Sequence, residues 1–91
     1  SAIARIEVNW QRLTSAMRGR ALAEKSLEAE QKRYQTGTSS TFILIRLQTD
    51  LINARIRELV AANDYRKARV QFDRLTGRIL GLHRVQAGAP Q

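Results

Sequence analysis

Cysteine is absent from this chain of 91 residues, so no disulfide can staple it, and the missing framework leaves the redox compartment open. A chain this short buries only a modest core unless it oligomerises or belongs to something larger. Proline occurs once, at Pro90, and glycine is sparse, at Gly19, Gly37, Gly77, Gly81 and Gly88. Long uninterrupted helices are therefore allowed. Aromatic residues are few: Trp10, Tyr34, Phe42, Tyr65 and Phe72. Long apolar runs are missing too, the longest being Phe42 to Ile45, whereas a bilayer-spanning helix needs about 20 mostly apolar residues. No transmembrane helix is expected.

What the chain has in excess is positive charge, a net +8 with a pI near 11.3. That balance suits nucleic acid, anionic lipid or an acidic protein, and does not choose among them. The densest cluster, Arg66, Lys67 and Arg69 followed by Arg74 and Arg78, is expected to point several ways around a helix rather than gather on one face. A nucleic-acid reader concentrates its charge or interleaves it with exposed aromatics, so nucleic acid is not the expected partner. The first residues, Ser1 to Ala4, show no basic stretch followed by an apolar core, and no secretory signal is read in them.

Two helices fit between the glycines. The first is expected over about 3–35, a stretch rich in Ala, Leu, Glu, Lys, Arg and Gln, which lose little on entering a helix. Its apolar positions Ile3, Ile6, Trp10, Leu13 and Met17 alternate by three and four; beyond Met17 that register blurs. Gly19 either marks the close approach of a neighbouring backbone or is simply tolerated. Residues 36–41 form the turn, with Gly37 able to take the left-handed conformation and Ser39, Ser40 and Thr41 all good N-cap candidates. None has Glu or Gln three residues on, so the reciprocal capping box is absent.

The second helix, expected over about 41–77, carries the clearest signal. Leu44, Leu47, Leu51, Ala54, Glu58, Ala61, Tyr65, Ala68, Phe72, Leu75 and Ile79 keep strict three-four spacing, broken in character only by Glu58. Such a repeat over about five heptads marks a coiled-coil seam. A second set, Ile45, Ile52, Ile56, Leu59 and Val60, widens the apolar face beyond what one partner covers, which predicts oligomerisation or a larger parent protein. Residues 78–91 lose the pattern and are expected to be a flexible tail. The fold class expected is all-α, two long antiparallel helices in a coiled-coil hairpin over 1–77.

Nothing in the residues suggests catalysis, a cofactor or a metal, and the chain is not expected to be an enzyme. His83 is the only histidine and no cysteine or acidic cluster accompanies it. The hydroxyls of the turn have no histidine or carboxylate spaced to activate them. Asp50, Asp64 and Asp73 do not pair one turn apart and are expected to be surface acids, while Trp10 and Phe72 occupy core positions.

Taken together, Glu30 to Ser39 with its Tyr34-x-x-Gly37-Thr38 turn, then Leu44, Gln48, Leu51, Ala54-Arg55, Asp64-Tyr65, Ala68 and Leu75-Thr76-Gly77 resemble the C-terminal half of a repeat of the outer membrane efflux protein family, the TolC-like channels of Gram-negative bacteria. The resemblance spans about residues 20–80. It implies a trimer in the outer membrane whose helical hairpins form a periplasmic tunnel beneath a β-barrel, serving multidrug efflux or type I secretion with a periplasmic adaptor protein and an inner-membrane transporter as partners. This chain would be one hairpin of that tunnel, touching the membrane only through the barrel part it does not contain. It has no alternating strands of about 10 residues to build such a barrel.

By the same resemblance the Tyr34-to-Thr41 turn is the periplasmic tip, with Tyr34 helping to hold it closed and Gly37, Thr38 and Ser39 receiving the adaptor. Family members place an arginine just after the Gly-Thr pair and acids a few residues on, where this chain has Ser39, Ile43 and Arg46. The gating charge network departs accordingly, and a weaker block by divalent cations is expected. Two rival readings stand beside this one: the coiled-coil hairpin of a periplasmic adaptor, whose tip is built around Arg, Leu and Ser, and a basic helical module that binds nucleic acid.

Overall fold

A computed structural model describes the backbone of residues 1–88 and the side chains of residues 1–81. The chain is an all-α hairpin of two antiparallel helices, α1 (Ala2–Gln35) and α2 (Thr41–Gly88), in a rod with extents of 79 × 21 × 14 Å. No helix among the described residues is long and apolar enough to cross a membrane.

The helices meet along a narrow seam. On α2 the least exposed residues are Leu51, Ala54 and Ala68, with Leu44, Leu47, Glu58, Ala61, Tyr65 and Phe72 half-buried between and beyond them. Their spacing by three and four keeps one line of the helix facing its partner. Leu75 and Ile79 continue the spacing but are 46% and 58% exposed. The reason is geometric: Arg5 donates to Gln71 Oε1 at 2.7 Å, so Leu75 lies level with the first residues of α1 and has little helix to pack on.

α1 departs from its expected register in an instructive way. Its inward residues are Ala2, Ile6, Asn9, Leu13, Ala16, Arg20, Ala23, Leu27 and Glu30, an unbroken three-four repeat that passes through polar positions. The seam does not blur after Met17; it becomes polar and small. Ile3 is exposed, and Trp10 and Met17, at 46% and 42% exposure, line its edge rather than its centre. Trp10 still packs, its ring 5.3 Å from that of Tyr65 at a 52° tilt.

A Cβ at Gly19 would meet nothing within 4 Å, so no backbone approaches it closely and the glycine is simply tolerated, the second of its two readings. One further expectation is corrected. The helix expected to end near 77 runs on to Gly88. Gly77 and Gly81 each cost about 1 kcal/mol relative to alanine, too little to stop a helix otherwise made of Arg, Ile, Leu and Gln. The flexible tail expected over 78–91 is thus helical to Gly88, and its remainder lies outside the described residues, as does the His83 side chain.

The tip as a candidate functional site

The turn that reverses the chain is built from backbone requirements upward. α1 ends in a Schellman arrangement, in which Thr38 N donates to Arg33 O at 2.9 Å and Gly37 N to Tyr34 O at 3.1 Å. That geometry needs a left-handed residue, supplied by Gly37 with φ +79°. The hydroxyls of Thr36 and Thr38 each donate to Arg33 O at 3.0 Å, satisfying one helix-end carbonyl several times over. Ser40 caps α2, its Oγ accepting from Ile43 N at 3.2 Å. Of the three candidate caps, Ser40 is the one used.

Beneath the turn lies a polar clasp. Glu30 is 7% exposed, and its carboxylate accepts from Ser39 Oγ across the turn and from Arg33 Nη1 at 2.8 Å. The Ser39 hydrogen bond, then the Arg33 hydrogen bond and charge, hold the Glu30 carboxyl below its ordinary value against the opposing effect of burial. The serine therefore does meet a carboxylate, contrary to the expectation from spacing alone. The arrangement is a poor base all the same, because a carboxylate held at low pKa has little tendency to take a hydroxyl proton. It acts as a tie between the end of α1 and the start of α2.

The tip residues singled out by sequence are only partly brought together. Tyr34 stands 44% exposed with its hydroxyl 3.3 Å from Thr41 Oγ1, so it bridges the two helix ends. Gly37, Thr38 and Ser39 form the turn beside it. Ile43 is exposed at the first turn of α2, next to Phe42, which is 77% exposed. Arg46 lies exposed about one turn further along α2 and forms no ion pair among the described residues. The tip thus presents a small apolar and hydroxyl-rich end with no acid at its surface.

Sequence reasoning missed Glu30, Arg33 and Thr36. The signal for Glu30 was present, since 2, 9, 16, 23 and 30 repeat by seven, but a search for apolar seam positions passes over a glutamate. A second polar interruption sits mid-seam. Arg20 Nε donates to both Glu58 oxygens, at 3.3 and 3.1 Å, and its Nη1 donates to Glu24 at 3.2 Å. Arg55 reaches Glu24 at 3.8 Å. Glu58, the one charged member of the α2 seam, is matched by the one cation of the α1 seam, and the bond to it raises the Arg20 pKa. No group of three or more His, Cys, Asp and Glu among the described residues is placed to hold a metal ion. Comparison of the chain with family models, with curated proteins and with solved structures gives no match.

Proposed function

We propose that the chain is one hairpin of the periplasmic tunnel of an outer-membrane export channel of the TolC-like kind, working as a trimer with a periplasmic adaptor and an inner-membrane transporter. The observation that carries this reading is the second apolar stripe of α2. Phe42, Ile45, Ile52, Ile56 and Leu59 are each more than half exposed and follow a three-four spacing two residues behind the seam, interrupted at Thr49. At roughly 103° per residue in a coiled coil of 3.5 residues per turn, that offset sets the second stripe about 150° around the helix from the first. A helix with apolar lines on nearly opposite sides suits a wall one helix thick, in which it touches a neighbour on each side. Val60, expected to belong to this set, falls one position off the line.

In this reading the seam holds the hairpin, the second stripe meets the adjacent hairpin, and the tip receives the adaptor. Phe42, Ile43 and Tyr34 supply apolar contact there, and the clasp under the turn keeps the tip in one shape. Ile43 and Arg46 replace acids at the entrance, which lowers its attraction for cations. Single-channel conductance of the full-length protein in a planar bilayer tests the proposal. A cation-conducting pore that millimolar divalent cations block only weakly is expected. Absence of any pore activity in the purified full-length protein would sink the reading.

A further inference from the structure

The grooves of this hairpin differ in the charges that line them. One groove between the helices is lined by Val8, Arg12, Ser15, Gly19, Arg57 and Ala61 among others, encloses about 540 Å³ and has no acid in its lining. The grooves that continue from it toward the open end are likewise free of acids and carry Arg5, Lys67, Arg74 and Arg78. The groove on the opposite face instead holds Glu24 and Glu58, already paired with Arg20 and Arg55. All ion pairs among the described residues fall between Arg20 and Glu58, and none uses Arg5, Arg12, Arg57, Lys67, Arg74 or Arg78. α1 thus brings Arg5 and Arg12, and α2 brings Arg57, Lys67, Arg74 and Arg78, to these acid-free grooves, while Arg69 lies outside them.

From this we infer that the cationic face is a docking groove for an acidic amphipathic helix of a partner protein, a surface separate from the tip and independent of the tunnel reading. The occupant follows from the two parts of the groove. Its floor is small and apolar, with Ala16, Gly19, Ala54 and Ala61, and a Cβ at Gly19 would meet only open space, so a helix backbone can come close. Its edges carry Arg12 on α1 and Arg57 on α2, which call for carboxylates on both flanks of whatever lies between them. A phosphodiester chain would use the edges and waste the floor. No aromatic residue lines the groove to stack a base, since Trp10 and Tyr65 are engaged with each other and Tyr34 and Phe42 belong to the tip.

The test is a fluorescence-anisotropy titration with a designed peptide of about 20 residues, roughly 30 Å of helix, with Ala and Leu on one face and Glu on both flanks. A peptide with Lys in place of Glu and a single-stranded DNA oligomer are run beside it. The Glu peptide is expected to bind saturably, and about tenfold more weakly to the Arg12→Gln/Arg57→Gln variant, the combined effect of two solvent-exposed charge pairs. Arg69→Gln, outside the grooves, is expected to leave binding unchanged. Both arginines are exposed and outside every ion pair among the described residues, so helicity by circular dichroism should be retained; a double variant that lost it would be replaced by Arg57→Gln alone. No saturable binding, equal binding of the Lys peptide, or an equal loss with Arg69→Gln would overturn the inference. Tighter binding of the DNA through the same two arginines would overturn it as well, in favour of a phosphate-reading surface.

Discussion

Leu51 and Ile52 are adjacent in sequence, similar in size and opposite in situation, so truncating each to alanine separates the two apolar lines of α2. Leu51 is 7% exposed in the seam. Leu51→Ala removes three carbon-bound groups from a nearly dry site, about 2.5 kcal/mol at roughly 0.8 kcal/mol per group, before any cavity is counted. The rod is only two helices thick, so its neighbours can relax into the gap, and the total should stay near the low end of the 2–5 kcal/mol range for such changes. Ile52 is 56% exposed. Its replacement loses less than half of that burial and gains about 0.4 kcal/mol of helix propensity, so the monomer should change by less than about 1 kcal/mol. The measurements are thermal unfolding by circular dichroism at low protein concentration and sedimentation equilibrium across a concentration series. Leu51→Ala should lower the midpoint markedly at every concentration, while Ile52→Ala should leave the dilute midpoint nearly in place and weaken self-association. Equal destabilisation by the two, or self-association indifferent to Ile52→Ala, would refute the assignment of one stripe to the hairpin and the other to its neighbour.

Two glycines should respond with opposite signs. Gly19→Ala is expected to stabilise by up to about 1 kcal/mol, since α1 is helical there and the space beside it is open, whereas Gly37→Ala should destabilise by about 1–2 kcal/mol because its φ is +79°; chemical denaturation reads both. The Glu30 carboxyl lies below its ordinary value of 4.5 in the folded chain, so its contribution is fully present above that value and is lost as the pH falls through the folded pKa. Hydrogen exchange of the turn amides should therefore accelerate in strong acid, and Glu30→Gln should remove that part of the pH dependence. Replacing Arg20 and Glu58 together by leucine should raise the unfolding temperature, because an apolar pair fills the seam without desolvating charge. Cross-linking of single cysteines should then report more than one helix register, and a single sharp register in that variant would show that the ion pair does not set alignment.

The hairpin itself was legible from the chain because α2 advertises it: leucines at 44, 47 and 51 and small residues at 54, 61 and 68 keep one spacing across the helix. The turn was legible for a similar reason, Gly37 and the hydroxyls being local signals that need no tertiary context. α1 was harder. A third of its seam is polar, at Asn9, Arg20 and Glu30, and another third is alanine, and only the partner helix reveals that Arg20 faces Glu58 and Glu30 faces Ser39. The length of α2 was underestimated because glycines at 77 and 81 read as stops, when two small costs are spread over a long helix. The meeting of Arg12 and Arg57 along one groove was invisible for a different reason. Arg12 and Arg57 are far apart in sequence, and the phase of each helix about the seam decides which side of the rod each residue occupies.

The cross-links along the rod have a consequence for how its length can change. Between the Tyr34–Thr41 pair and the Arg5–Gln71 pair, each arm runs about 30 residues, roughly four heptads, with Trp10–Tyr65 and Arg20–Glu58 as rungs between. A ladder of this kind can be lengthened only in matched steps. Seven residues added to one arm alone would carry Arg20 a full repeat away from Glu58, or force the surplus out as a loop, whereas seven added to both at the same height would leave every rung intact. Insertions and deletions tolerated by this chain should therefore come in pairs, one per arm, in multiples of seven.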